Sequence, residues 1–399
     1  MKHHVLVKTI ALLSLSLVSG CGSSQVITHN AKPAVSAPDI PEHTLLDVGV
    51  LLFDPGLPDT LKDLEKSELS VDVRKAEARF IAYHIKNTLE RTGNWAAVRV
   101  IPEDNGGTDV MVTGNIMSSD GDTLEVSVDV RDNAGRHWFT KKYSDRASKF
   151  AYKDYASGGE DPFQDIYNEV ANDMLAYRTK MSERDLVQLR QVSALKFAAR
   201  LSPSAFKEYI EKDRRGEYQI RSLPSPDDPK VARMNSIRDR EYLFVDTLDE
   251  YYGRFYRDMA LPYNNWRQYT YEEAAAARQI KTQARNRMLA GAAMVVGGVL
   301  VDKNANSTAT RVVGTGAAIA GVGAFRSGLL RRRDAKIHED TLKELNLSLE
   351  SEVAPLVVEV DGRTTELKGS AEAQYAEWRR LLEDIHASET GLDEEPSGE

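Results

Sequence analysis

An α+β fold is predicted by three stretches in the first half of the chain. Residues 124–131 alternate Leu124, Val126, Val128 and Val130 with Glu125, Ser127, Asp129 and Arg131, the period-two pattern of a strand with one wet face. Ala78, Ile81, Ala82, Ile85 and Leu89 recur at helical spacing and form one apolar stripe. Phe163, Ile166, Tyr167, Val170, Met174 and Tyr177 repeat that stripe after Asp161-Pro162, a helix-opening pair. Helices over one face of an antiparallel sheet bury both kinds of stripe together.

The remaining elements of this domain, residues 45–180, fall into order around those three. Residues 46–53 form a short, mostly apolar run that stops at Pro55-Gly56 and reads as a buried strand. A helix is expected over 73–91, closed by Gly93, and strands over 95–101 and 109–117. Asp132-Asn133-Ala134-Gly135 is a turn after the alternating strand, and 137–143 is its hairpin partner.

Residues 109–116, the polar turn Asp120-Gly121-Asp122 and residues 123–143 carry a resemblance. With the opening strand and first helix, they resemble the periplasmic domain shared by curli-secretion-channel lipoproteins and the amino-terminal part of TolB-type proteins. The resemblance covers about a third of the chain and implies a partner-binding domain in the periplasm. The sequence departs from the secretion-channel family afterwards. No alternating membrane β-hairpins follow, so no barrel pore is expected.

Upstream, residues 1–20 read as a signal peptide. Lys2 and Lys8 flank the start, and an apolar run of about nine residues follows, well short of the ~20 that span a bilayer. The run ends in Val18-Ser19-Gly20-Cys21, which resembles the lipobox of bacterial lipoproteins. In that family the thiol is acylated, the chain is cut before the cysteine, and the new amino terminus is acylated too. Gly22 rather than aspartate favours the outer membrane by the same family's sorting pattern. Cys21 is the only cysteine, so its acylation excludes disulfides, thiolate catalysis and cysteine metal sites. Residues 21–44, with Pro33, Pro38 and Pro41, are expected to be a flexible lipidated tether.

Residues 181–288 read as helical and aromatic-rich, with one long helix pattern over 228–259. Tyr251, Tyr252, Arg254 and Trp266 interleave aromatic and basic groups that suit a protein partner or a sugar ring; ordinary helix packing accounts for them as well. Residues 289–330 are two apolar Gly/Ala-rich runs around a polar break, with Gly291, Gly297 and Gly298 in the first and Gly314, Gly316, Gly321 and Gly323 in the second. They resemble glycine-zipper segments of envelope proteins. Each run makes about 20 Å as a helix, short of a ~30 Å hydrocarbon core. A helical hairpin there enters a membrane, an oligomer interface or the chain's own core; the sequence leaves the three open. Residues 331–390 read as a charged helix, a β-hairpin turning at Asp361-Gly362, and a final amphipathic helix; 391–399 is an acidic tail.

A net charge of −9 argues against non-specific nucleic-acid binding. Ser193-x-x-Lys196 and Ser204-x-x-Lys207 match the spacing of a serine nucleophile and its base, but the companion motifs of that chemistry are absent. The histidines beyond the signal stand apart from one another, and His84 reads as a partly buried helix residue rather than a ligand. The expectation is therefore an outer-membrane lipoprotein facing the periplasm. Its role would be a non-enzymatic scaffold or accessory subunit in envelope assembly or export, with envelope proteins or further copies of itself as partners. The covalent lipid on Cys21 is the only attached group expected; no other cofactor is. The alternatives are a peptidoglycan- or polysaccharide-binding lipoprotein and, last, a Ser-x-x-Lys hydrolase.

Overall fold

A computed structural model describes residues 31–35, 40–67, 70–104, 106–148, 150–298, 356–360 and 363–390, and positions 337, 340, 341, 343, 344 and 347. The protein is α+β. In chain order the elements are β1 (Val48–Leu51), α1 (Leu61–Ser67), α2 (Val71–Thr92), β2 (Val98–Ile101), β3 (Val110–Ser119), β4 (Thr123–Asp132) and β5 (His137–Arg146). There follow α3 (Ala151–Ala156), α4 (Gln164–Arg178), α5 (Glu183–Leu201), α6 (Pro203–Phe206), β6 (Ile210–Lys212), β7 (Tyr218–Ile220), α7 (Pro229–Gly298), β8 (Leu356–Val360), β9 (Arg363–Leu367) and α8 (Ala371–Thr390).

The main sheet has the order β2-β1-β3-β4-β5. It is mixed, which corrects the expectation of an antiparallel sheet. β1 runs parallel to both neighbours, with Val48 opposite Val98 and Val110, whereas β3–β4 and β4–β5 are antiparallel. The reason lies in the connection. α2 spans 22 residues between β1 and β2, long enough for the crossover that a parallel return requires. A strand's apolar pattern records which face is buried and carries no direction.

Val48, Val50, Val110, Val112, Val126 and Val128 are among the sheet residues of the first core. Ile81, Ile85 and Leu89 of α2 and Ile166, Val170 and Met174 of α4 close over them. Gly114 of β3 is needed for a close approach, because a Cβ there would lie 2.1 Å from the ring of buried Phe53. Gly114→Ala is expected to destabilise by about 1–3 kcal/mol through overpacking. The measurement is the urea midpoint, which should fall with the slope unchanged; an unshifted midpoint contradicts the packing.

α7 is the largest departure from expectation. Rather than stopping near residue 259, it continues through Pro262 for 70 residues, about 105 Å at 1.5 Å per residue. Tyr263, Asn264 and Arg267, one, two and five residues beyond the proline, are all buried against the body, so tertiary packing holds the helix where a proline alone would favour a break. The same helix seals the exposed edge of the sheet. Asp249 accepts the β2 backbone N–H of Val100 at 2.9 Å, and Arg99 donates to Asp246 at 2.5 Å. Covering an edge strand in this way removes a template for unwanted pairing.

A second core joins α7 to the C-terminal helix α8. Phe244 stacks on Trp378 with centroids 5.0 Å apart, Tyr375 donates to Glu241 at 2.9 Å, and Tyr252 donates to Glu372 at 3.0 Å. The expected terminal hairpin is present, with β8 and β9 antiparallel and Val360 opposite Arg363. The β6–β7 hairpin lies within the region read as mainly helical. Part of the expected tether also belongs to the body: residues 31–35 lie on α4, and Thr44 is buried. Among the described residues, no helix is long and apolar enough to cross a membrane.

Candidate functional site

The helices α2, α3, α4 and α7 meet around a set of buried ionisable side chains. Phe80 and His84 of α2 are one helical turn apart and stack at 5.7 Å. α7 contributes Tyr256, Tyr263 and Arg267 to the same line, and the turn before α4 contributes Asp161.

Arg267 and Asp161 are both fully buried. The guanidinium donates two bonds to the carboxylate, Nη2 to Oδ2 at 2.8 Å and Nη1 to Oδ1 at 3.2 Å, the planar fork geometry that suits arginine. Around the guanidinium stand the rings of Tyr263 at 4.2 Å, Phe80, Tyr152, Tyr155 and Phe163. Burial opposes ionisation of Asp161, but the charge and hydrogen bonds of Arg267 and the backbone N–H of Phe163 outweigh it and hold the carboxyl below the usual range.

Glu77 forms a second buried knot one turn along. It accepts from Ser119 at 2.5 Å, from Tyr263, and from Arg74 at 3.3 Å. The β3–β4 turn fits under α7 because Gly121 has φ +76° and no Cβ; one placed there would strike the carbonyl of Arg267 at 2.4 Å.

His84 lines a cleft of about 490 Å³ together with Asn87, Tyr155, Gly158, Asp161, Gln164 and Tyr256. Both ring nitrogens are engaged: Nδ1 with the Tyr256 hydroxyl at 2.7 Å and Nε2 with Gln164 Oε1 at 2.8 Å. The Gln164 amide group donates to Thr88 and Asn168, which leaves its Oε1 as acceptor. His84 is therefore assigned the Nε2–H tautomer, and Nδ1 accepts from Tyr256. Burial pushes the imidazole below its ordinary pKa, so it is neutral at neutral pH. Protonating it means reversing the Tyr256 bond, so that Nδ1 donates and the hydroxyl accepts. This set of groups fastens helices together and walls a small cleft; it does not present a free base beside a free nucleophile.

The residues singled out from the sequence are dispersed. Tyr252 is buried in the second core. Tyr251 is partly buried beneath Arg254, 5.9 Å away, and Trp266 stacks on Tyr263 at 6.0 Å. Ser193 donates to the Leu189 carbonyl at 3.0 Å, while Lys196 donates to Asn133 Oδ1 at 2.5 Å and to its carbonyl at 2.7 Å. The two ends of that motif serve separate partners. Ser204 and Lys207 are exposed. Gly291, Gly297 and Gly298 lie in the last turns of α7. Cys21, Gly314, Gly316, Gly321 and Gly323 lie outside the described residues. Among the described residues, no group of three or more His, Cys, Asp and Glu side chains is placed to hold a metal ion.

Asp161, Glu77 and Gln164 were not legible as site residues. The nearest signal was Arg267 among tyrosines and Asp161 at a helix start, with nothing in the sequence to join them. No protein-family model matches the chain, and no curated protein or solved structure matches it.

Proposed function

We propose that the chain is a lipid-anchored outer-membrane lipoprotein, facing the periplasm, that serves envelope assembly or export as a non-enzymatic scaffold. The observation that carries this reading is the clamping of α7. Side-chain pairs fasten it to the α+β body at Arg99–Asp246, Lys86–Asp249, Asp161–Arg267 and Asp122–Arg278. The helix then runs on to Gly298, into the Gly/Ala-rich stretch that begins at residue 289. A body bonded so extensively to one helix transmits force and position, which is what a scaffold between a membrane and a partner requires. The lipobox-like Leu17-Val18-Ser19-Gly20-Cys21 supplies the other attachment.

Fractionation of cells making the full chain or its Cys21→Ser form tests this. The unaltered protein is expected to incorporate a palmitate analogue and to stay in the membrane pellet through carbonate washing. Cys21→Ser is expected to lose the label; equal labelling of the two forms rejects the lipid anchor. If unlabelled Cys21→Ser remains firmly pelleted, residues 289–330 act as a second anchor. If it is released as a monomer, the membrane and self-association roles of that stretch both fail.

A further inference from the structure

The segment at residues 31–35 is held to the body chiefly by its backbone, with Ala31 and Pro33 half-buried and the other three side chains exposed. Asp165, Asn168 and Asn172 lie at successive turns along one face of α4. Asp165 Oδ1 accepts from the Ala31 N–H at 3.0 Å, and Asn168 Nδ2 donates to the Ala31 carbonyl at 2.7 Å. Asn172 spans the next stretch, donating to the Lys32 carbonyl at 2.9 Å and accepting from the Ala34 N–H at 2.8 Å. Asn94, just after α2, donates to the Ala34 carbonyl at 2.8 Å.

The side chains of the segment take little part. Lys32 and Ala34 are exposed, and Val35 is 70% exposed. A contact made of hydrogen bonds to main-chain groups, with little apolar area buried, reads an extended backbone without regard to its side chains. Its net strength is modest, because each bond replaces one to water. Asn168 also accepts from Gln164, whose Oε1 accepts from His84, so the ladder is seated on the buried network rather than on a loose surface.

We propose that the α4 ladder is a releasable clamp on the chain's own N-terminal segment, and that its state sets how far the folded body can stand from the membrane. The standoff rests on the lipid anchor at Cys21 proposed above; the clamp itself does not. Ala31 is ten residues from Cys21, so the clamped body reaches at most about 35 Å from the anchor. With the clamp open, the next backbone attachment among the described residues is Glu42, whose carbonyl accepts from Arg190 at 3.2 Å. That point is 21 residues from Cys21, and the limit becomes about 70 Å. A clamp closed by asparagines and one aspartate opens to any extended peptide that competes for the same backbone bonds, such as a partner's unstructured tail.

Two measurements test this separately. In the full-length Cys21→Ser protein, hydrogen exchange followed by mass spectrometry reads residues 31–35. The Ala31 and Ala34 amides are expected to exchange about tenfold faster in Asp165→Ala/Asn172→Ala, and the Ala31 amide also in Ala34→Pro, which removes the other bonded N–H from the segment side while leaving the body intact. Unprotected amides in the parent protein overturn the clamp. In the lipidated protein, an introduced Lys180→Cys is the only free thiol and takes a donor dye. Energy transfer to acceptor-labelled phosphatidylethanolamine/phosphatidylglycerol vesicles is expected to fall in both clamp variants. Unchanged transfer with the protein still on the vesicles overturns the standoff. Failure of the parent protein to carry lipid overturns the anchor reading and the standoff with it, while the exchange result decides the clamp alone.

Discussion

Arg267→Met is expected to cost about 3–5 kcal/mol of folding stability, because it strands a buried carboxylate without its counter-charge. The Asp161 side chain has no exposed surface, and its two oxygens face the two terminal nitrogens of the guanidinium. The methionine fills much of the volume among Tyr263, Phe80 and Phe163, so the loss isolates charge rather than cavity. Asp161→Asn alone should also destabilise, by leaving the guanidinium unpaired. The double variant is expected to recover a large part of the loss, since a buried pair replaced as a unit is close to neutral. Urea melts of the four proteins at pH 7 measure the coupling. A loss below about 1 kcal/mol for Arg267→Met would mean that water reaches the pair.

The second large effect belongs to Asp109, at the start of β3. Its carboxyl is 4% exposed and accepts from the Asp47 N–H at 2.9 Å. Burial pushes it up to about 6, and the Asp47 charge adds to that; the Asp47 N–H, Ser193 and Arg190 oppose it. Tyr242, bonded to the Gly107 carbonyl at 2.9 Å, stands on the other side of Asp47. A carboxyl with a folded value above its unfolded one binds its proton more tightly when folded. Its stabilising effect is complete below the ordinary carboxylate range and is lost as pH rises through about 6. From pH 4 to pH 7 this group alone should lower stability by about 2 kcal/mol. Asp109→Asn is neutral throughout and keeps an oxygen for the Asp47 N–H. It is expected to flatten that segment of the pH profile and to be the more stable protein at pH 8. Parallel profiles for the two proteins between pH 4 and 8 would rule out the raised value.

The strand at Leu124, Val126, Val128 and Val130 and the helix stripe from Ala78 to Leu89 were readable because each is a local repeat whose buried face is set by its own period. The terminal hairpin was readable for the same reason, since its turn lies between its two strands. Other features depend on partners far away in the chain. Asp161 and Arg267 are 106 positions apart, and Glu77 and Tyr263 are 186 apart. Nothing near either member marks it as half of a pair. The helical reading of α7 stopped short of Pro262 because a proline removes a local hydrogen bond, whereas buried Met259, Tyr263 and Arg267 on both sides hold the helix through it. The segment at residues 31–35 read as tether because it buries almost no apolar surface; its attachments are side chains of α4 and the residue Asn94.

By itself, then, the sequence determined the α+β class, the faces of the main strands and helices, and the lipobox-like Cys21 with the expectation of membrane attachment. All of these are properties of neighbouring residues, and a period or a short motif expresses them. The tertiary structure alone decided the parallel placement of β1 between β2 and β3, the passage of α7 through Pro262, the buried Arg267–Asp161 pair and the clamp on residues 31–35. Each depends on groups brought together only when the chain closes on itself, where burial removes water and makes a distant partner worth more than any near one.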